Sequence, residues 1–281
     1  MPPNPAGPRL SIVTITYRDP AGFRRTVDSL RQLEGAGIDW EHVVVESPSD
    51  APSVKAILPP SWPLRFVSSP PLGTYRAQNL GLETSCGRVI WFLNGGDELA
   101  GAAALKRALV KIESHPVAVA YCGAVDLMRD GRFLYRQVPR DPVWKNLLGK
   151  NALCHQGVLY RREAFSRFGE YDPEYRIGAD YEHHFRILAK GGEFLVGEED
   201  IGRFDMSGAS SNYRAAFREF RAIQKKHLPQ LPIVLRLLNS IYFPYCYSQV
   251  ATLKFLGALP FSGFLRAIWI RWKRGFGGSR G

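Results

Sequence analysis

The chain has 281 residues, 45% of them hydrophobic, enough to bury a full core in one large domain or in one domain with an appendage. Its formal charge is +11, and from Asn212 onward 12 Lys and Arg stand against the single acid Glu219, a surplus equal to that of the whole chain; residues 1–211 carry 25 of each sign. Cys86, Cys122, Cys154 and Cys246 form neither a CxxC nor a ladder, which speaks against a disulfide framework or a zinc site, and MPPNPAGPRL lacks the apolar stretch of a secretory signal.

Residues 1–8 are rich in Pro and Gly and read as disordered. Leu10 to Tyr17 (LSIVTITY) is β-branched and apolar, the pattern of a buried parallel strand. Phe23 to Leu33 follows as an amphipathic helix with Phe23, Val27, Leu30 and Leu33 on one face. Trp40 to Glu46 is a second strand, ending in the acidic turn Glu46-Ser-Pro-Ser-Asp50. Val54 to Leu58 reads as a short helix and Arg65 to Ser69 as a third strand.

The stretch from Gly73 to Leu99 is the most informative. Ala77 to Thr84 has helical spacing, Gly87 stops the helix, and Arg88-Val-Ile-Trp-Phe-Leu is an apolar run of strand length. Asn94-Gly95-Gly96-Asp97-Glu98 then breaks the strand and sets Asn94 and Asp97 at its carboxyl end. In open α/β sheets ligands bind at that end, and hard oxygen ligands there suit Mg²⁺ or Mn²⁺ carried in by a diphosphate. A polar turn without ligand is the alternative reading of Asn-Gly-Gly-Asp by itself. The alternation of strand and helix predicts an α/β, Rossmann-like, mostly parallel central sheet flanked by helices.

Ala102 to Glu113 reads as a helix and Val117 to Val125 as a strand; Gly131 to Val138 reads as a hairpin strand where the parallel half ends. Cys154 to Tyr160 reads as a strand, Arg161 to Phe168 as a helix, and Gly178-Ala-Asp180 opens a helix to Lys190. In that helix His184 faces inwards, His183 is solvated, and Glu182 pairs with Arg186. Phe194 to Val196 and Ile201 to Phe204 read as the last strands, before a Gly/Ser loop, Met206 to Asn212.

The tail starts with a basic helix, Tyr213 to His227, followed by apolar segments cut by Pro232, Pro244 and Pro260. Its longest uncharged run, Leu237 to Leu253, falls short of the ~20 apolar residues a spanning helix needs. Aromatic residues mixed with Arg and Lys, as in Arg266 to Arg274, suit an interface with anionic lipid. A helical subdomain or an oligomer contact is the alternative, and no recognition motif for nucleic acid accompanies the charge.

The order of these motifs resembles the family 2 glycosyltransferases, which share the GT-A fold, over roughly residues 9–211. The likeness rests on SIVTITYR, VVVESPSD, GTYRAQNLGLETSCGRVIWFLNGGDEL, CHQGVLYRREAF and EYDPEYRIGADYEHHFRI, in this order and spacing. It is nearest to the short bacterial enzymes that build polysaccharides or glycolipids. The resemblance implies inverting transfer from a nucleotide-diphosphate sugar to a hydroxyl of a glycan or lipid-linked acceptor, on the cytoplasmic face of the cell membrane. It puts Thr14, Thr16, Tyr17, Glu46, Asp50, Arg76, Asn79, Asn94 and Gly95 at the nucleotide-sugar, Asp97 on a Mn²⁺ or Mg²⁺ ion, Asp180 as catalytic base, and His155 and Gln156 at the acceptor. Arg203 and Ser210 fall in a loop that could close over the diphosphate.

The physical argument agrees with these roles. A divalent metal on Asp97 neutralises charge developing on the leaving diphosphate, and inversion needs one base on the face opposite it. Asp180 as a plain helix N-cap is the competing reading; a capping box would place Glu or Gln three residues on, where His183 stands. The single carboxylate of Asn94 to Asp97 implies that metal binds chiefly together with the sugar-nucleotide. Two further functions stay open: a non-catalytic sugar-nucleotide-binding partner subunit of a glycan-assembly complex, and a nucleotidyltransferase, for which Tyr17-Arg-Asp-Pro lacks the Gly-rich basic loop.

Overall fold

A computed structural model describes residues 7–47, 53–129, 131–149, 153–206 and 213–258. Asp50, Ser210 and the segment 259–281 lie outside the described residues. The elements in chain order are β1 (Leu10–Tyr17), α1 (Pro20–Leu30), β2 (Trp40–Ser47), β3 (Leu64–Ser68), α2 (Thr74–Thr84), β4 (Val89–Phe92), β5 (Glu98–Leu99), α3 (Ala102–Ser114), β6 (Ala118–Arg129) and β7 (Arg132–Gln137). Then come α4 (Trp144–Leu147), β8 (Val158–Arg161), α5 (Glu163–Phe168), α6 (Ala179–Ala189), β9 (Glu193–Asp205), α7 (Tyr213–His227) and α8 (Ile233–Ala258).

The sheet runs β3-β2-β1-β4-β8-β6-β9-β5, with β7 paired to β6 off this path. β1 to β4 are mutually parallel; β8 is antiparallel to both β4 and β6, and β9 is parallel to β6. This mixed order matters for the site. β8 enters the sheet at the edge where β1, β2 and β4 leave it, so the residues just before β8 stand beside the carboxyl ends of the parallel strands.

Side-chain alternation divides the core between the two faces of the sheet. Val13, Val43, Ile90 and Phe92 face one way, against Tyr75 and Leu82 of α2 and Tyr181 and Phe185 of α6. Ile12, Val44, Trp91 and Leu93 face the other, against Phe23 and Val27 of α1 and Leu105 and Leu109 of α3. The central strands are therefore buried at almost every position. Most of the buried polar groups among them are paired, the Thr16 hydroxyl being an exception. Glu41 accepts from Ser11 Oγ (2.6 Å) and from the backbone N–H of Cys86 (2.5 Å), and it is ion-paired to Arg65. Burial pushes the Glu41 carboxyl up, but these donors outweigh it and hold it below the usual range.

Several expectations change. Cys154 to Tyr160 is not a strand throughout: His155–Gly157 is a 3-10 turn and β8 begins at Val158. The last two strands are one, β9, with irregular register against β6; a Cβ on Gly197 would stand 2.1 Å from Tyr121 Oη, so the strand passes there without a side chain. Pro244 does not cut the tail; α8 runs through it, since proline in a helix removes only one backbone donor and can be accommodated by a kink. His183 is not solvated. It is fully buried and stacked on Phe165 at 4.9 Å, because α5 covers the face of α6 on which it sits.

Candidate active site

Two features of β4 and its sequel shape the site. The ladder continues past Phe92, with Leu93 N donating to Val13 O and Gly95 N to Ile15 O, both at 3.0 Å. The chain then turns back at Gly96, whose φ of 100° suits glycine, and Asp97 N closes the turn on Asn94 O at 3.0 Å. Thr26 of α1 pins this turn: its buried hydroxyl accepts from Gly96 N (3.0 Å) and donates to Asp97 O (2.7 Å). Neither the strand nor the turn alone predicts that link; it depends on α1 crossing beneath the loop.

Asp97 is buried, 4% exposed, and its two oxygens point to different elements. Oδ2 accepts from Gln156 Nε2 at 2.8 Å, and Oδ1 from Asp205 N at the end of β9 at 3.2 Å. Burial pushes its carboxyl up to about 6 against the pull of His155 and Gln156. A cleft of about 530 Å³ opens alongside, lined by Arg25, Gly96, Glu98, Met128, Arg203 and Asp205 among others. Arg203 lies on β9, not in a loop, and its guanidinium stands 3.5 Å from Glu98.

Asn94 is the junction of a second set. Gln78 Nε2 donates to Asn94 Oδ1 (2.9 Å), which leaves the Asn94 amide nitrogen to donate to His155 Nε2 (3.1 Å). That assignment puts the imidazole proton on Nδ1, which faces Asp180 Oδ2 at 3.7 Å. Asp180 is the second residue of α6, whose first turn favours a negative charge. Its Oδ1 accepts from Tyr181 N (2.8 Å) and stands 3.2 Å from Tyr75 Oη. Burial raises the Asp180 carboxyl, yet His155, His184 and Tyr181 N more than offset it, so the group is held below its ordinary value and is ionised at neutral pH. The cap of α6 is Gly178, with no side-chain bond, so Asp180 is not spent as an N-cap.

The consecutive residues His155 and Gln156 thus reach Asp180 and Asp97 from one short turn. That turn is clamped. Trp91 Nε1 donates to Gln156 O at 2.9 Å, and a Cβ on Gly202 would lie 2.5 Å from the same oxygen. Among the described residues no group of three or more His, Cys, Asp or Glu could hold a metal by itself. The buried Asp97 carboxylate, with Asp205 and Glu98 at the same cleft, fits the way Mg²⁺ and Mn²⁺ are held, by one or two carboxylates plus substrate phosphates.

The other expected positions divide. Thr16 lies against Gly95, and its buried hydroxyl has no hydrogen-bond partner in the structure. Tyr17, half exposed, ends β1, followed by Arg18 with a φ of 53°, an uncommon backbone for a residue that is not glycine. Arg76 is exposed on α2. Thr14 is not brought to this surface: it is fully buried, and its hydroxyl is taken up by Leu93 O (2.7 Å) and His42 Nε2 (2.9 Å). Asn79 is likewise committed, clasping Tyr171 by both its N–H (3.1 Å) and its carbonyl (2.8 Å). Glu46 accepts from Ser53 Oγ (2.5 Å) and Val54 N (2.7 Å), tying β2 to the start of the 3-10 turn Val54–Ile57. Sequence motifs do not single out Tyr75 and Gln78. Their signal is a polar group on the inward, otherwise apolar face of α2.

The layered fold and a polar cluster at the strand ends define a GT-A type α/β protein. The profile described as glycosyl transferase family 2 matches residues 11–185, well over half of the chain, and the chain belongs to that family of glycosyltransferases. A PGL/p-HBAD biosynthesis glycosyltransferase of Mycobacterium bovis (strain BCG) is 30% identical over 189 residues, 66% of this chain and 71% of that protein. A glycosyltransferase of Mycobacterium tuberculosis, described as uncharacterized, is 29% identical over 236 residues, 79% of this chain and 85% of that one. Among solved structures, a mannosyltransferase of Pyrobaculum calidifontis in complex with GDP-Man and Mn²⁺ aligns with a TM-score of 0.60 at 18% identity, covering 96% of this chain and 82% of that one. S. aureus TarS 1-349 in complex with UDP-GlcNAc aligns with a TM-score of 0.60 at 12% identity, covering 79% of this chain. This chain spans 66% of that TarS fragment and 39% of the longer TarS chain.

Proposed function

We propose that this glycosyltransferase moves a sugar from a nucleotide-diphosphate sugar to a hydroxyl of a glycan or lipid-linked acceptor with inversion at the anomeric carbon. The observation that carries the reading is the joining of Asp97 and Asp180, 83 positions apart in the chain, by the adjacent residues His155 and Gln156. Thr16, Tyr17, Arg76 and Gly95 are assigned to the nucleotide-sugar. Asn94 would orient the donor through its fixed amide. Glu46, near the end of β2, and Asp50 are also assigned to the nucleotide. Thr14 and Asn79 act from behind, by fixing β1 and the loop before α6.

In the reaction the acceptor oxygen attacks the anomeric carbon as the carbon–oxygen bond to the diphosphate breaks. Asp180 takes the hydroxyl proton, and the pair of electrons leaves with the diphosphate. A divalent cation, held by Asp97, would supply charge neutralisation for that leaving group. His155 and Gln156, rather than forming an acceptor wall alone, hold the two carboxylates in register.

The test is a screen of the full chain with UDP-, GDP- and dTDP-sugars and a membrane lipid extract, with and without Mn²⁺, reading the anomeric configuration of the product by NMR. One donor giving an inverted product supports the reading; retention of configuration removes the single-base mechanism. For Asp97→Asn, metal-dependent donor affinity is expected to fall at least about tenfold, since an uncharged amide replaces the one carboxylate offered to the cation. Unchanged affinity by calorimetry would take the metal off Asp97.

The tail supports a membrane-side acceptor. Val234, Leu237, Leu238, Ile241 and Tyr245 line one side of α8, and each is at least 40% exposed. Lys225 and Lys226 end the preceding helix with positive charge. No helix among the described residues is long and apolar enough to cross a membrane. The surface suits contact with anionic lipid at the inner face of the cell membrane. Co-sedimentation with vesicles containing phosphatidylglycerol is the expected outcome, weakened about tenfold or more by Leu237→Asp with Ile241→Asp. Equal sedimentation of wild type and variant would leave α8 to a second copy of the chain or another protein.

A further inference from the structure

The tail carries one acid, Glu219, and the fold uses it at a specific place. Its carboxylate accepts three consecutive backbone N–H groups: Arg176 (3.1 Å) on Oε1, and Ile177 and Gly178 (both 2.9 Å) on Oε2. Asp180 follows two residues later. Few arrangements grip a loop as tightly as an anion in a run of amide donors.

The neighbours of this grip belong to the same device. Ile177 is held from both sides: its N–H by Glu219 of α7, its carbonyl by the Tyr75 hydroxyl of α2 at 2.6 Å. That same Tyr75 hydroxyl lies 3.2 Å from Asp180. At the start of the loop Asn79 clasps Tyr171. Gly178 packs closely under α7: a Cβ there would stand 3.1–3.2 Å from Phe220 and Ile223. Further along α7, Gln224 donates to the Tyr181 hydroxyl (2.8 Å) and His227 meets Glu182 (2.9 Å). Positions 219, 220, 223, 224 and 227 fall on one face of α7, and all of them serve the loop and helix that carry Asp180.

We infer that Glu219 is a positioning residue for Asp180: by fixing the N–H groups of residues 176–178 it sets the point from which the base projects, and it makes the basic tail part of the reacting unit. This rests on the proposed reading of Asp180 as base.

The experiment compares Glu219→Ala, Glu219→Gln and Asp180→Asn in the full chain, measuring kcat, KM for donor and acceptor, and donor Kd. Glu219→Ala is expected to lower kcat about thirtyfold, with donor KM and Kd within about twofold of wild type, as displacement of a reacting group predicts. Glu219→Gln keeps an oxygen that can accept from Ile177 and Gly178 but turns an NH₂ toward Arg176 N, so kcat is expected to recover to within about threefold of wild type. Wild-type kcat in Glu219→Ala overturns the inference. So does loss of kcat and donor affinity together with no recovery in Glu219→Gln, which marks a general structural role. If Glu219→Ala does not fold, Glu219→Asp decides, because its carboxylate is one methylene too short to meet all three N–H groups: a fall in kcat of about tenfold with donor affinity intact supports the inference, and wild-type kcat overturns it. The base assignment is read separately. An active Asp180→Asn enzyme removes both readings, whereas an inactive one beside a wild-type Glu219→Ala enzyme removes only this one.

Discussion

Asp180→Asn is expected to lower kcat by about a thousandfold while donor Kd stays within about twofold, the range for removing a general base from an otherwise intact site. The geometry argues for the separation of the two effects. Asn keeps the size of Asp and can still accept from Tyr181 N, now at 2.8 Å, so the start of α6 is retained. The hydrogen bonds of the Asp97 carboxylate, at 2.8 and 3.2 Å, come from Gln156 and Asp205 N and do not pass through position 180. What changes is confined to the base and the imidazole. With its oxygen kept on Tyr181 N, the amide turns an NH₂ toward His155 Nδ1–H and loses that contact, and it offers no site to take a proton from a hydroxyl. Donor calorimetry and steady-state kinetics on one preparation test this. Turnover near wild type would take Asp180 out of the chemistry.

The ionisation of the two carboxylates suits such a division of labour. Asp180 is pulled below its ordinary value and is ready to accept a proton at any physiological pH, whereas burial raises Asp97 to about 6. A cation at Asp97 would favour the ionised form and so bind with release of a proton. Two acids with environments that push them apart are a recurring mark of sites with distinct acid, base and charge-holding roles.

What the sequence reveals of this protein follows from the range of each interaction. β1, β4 and the break at Asn94 to Asp97 are legible because apolar runs and glycine turns are local patterns. The helix Tyr213 to His227 is legible to the residue, from its spacing and from the Pro/Gly-poor run. Thr26, Gln78 and Glu219 are not, because each acts on backbone or side chains from another element, 16 to 71 positions away. His183 reads as solvated because one apolar stripe on α6 is visible in sequence, while its other flank is covered by Phe165 of α5, which no periodicity in α6 reports. Thr14 and Asn79 show the opposite limit. Family motifs point to them, yet at these positions the side chains are spent on holding β1 and the loop before α6.

Acidification from pH 7.5 to pH 5 is expected to destabilise the fold by about 3 kcal/mol, and three buried histidines are the cause. His42 is locked neutral in a chain of hydrogen bonds. Trp62 Nε1 donates to its Nδ1 (2.9 Å), so Nδ1 holds no proton; its Nε2 then donates to Thr14 Oγ1 (2.9 Å), which donates to Leu93 O (2.7 Å). A second proton would break the bond to Trp62 and leave a charge with no water, and burial accordingly lowers this imidazole to about 3. Burial lowers His184 to about 4, and His183 well below its ordinary value. In the unfolded chain these groups titrate near pH 6.5, so below that pH the unfolded state binds protons that the native state refuses. Stability is therefore complete above about pH 6.5 and is lost as pH falls toward the folded values. At pH 5, His42 and His184 each contribute a loss of about 2 kcal/mol, and His183 adds to it. Asp97 and Asp200, both raised to about 6, work in the opposite sense: the native state takes up their protons first, which returns about 1 kcal/mol apiece at pH 5. The histidines prevail. The carboxylates held below their ordinary values, Glu41, Asp126 and Glu182 among them, lose their contribution only at lower pH, so between pH 5 and 6.5 the slope is set by the imidazoles against the smaller opposing contribution of Asp97 and Asp200. Urea unfolding across that window measures the slope, and His42→Gln, which carries no titrating group, should flatten it by close to one proton, about 1.4 kcal/mol per pH unit. A slope unchanged by His42→Gln would mean that His42 is protonated inside the native core, contrary to the hydrogen bond it accepts from Trp62.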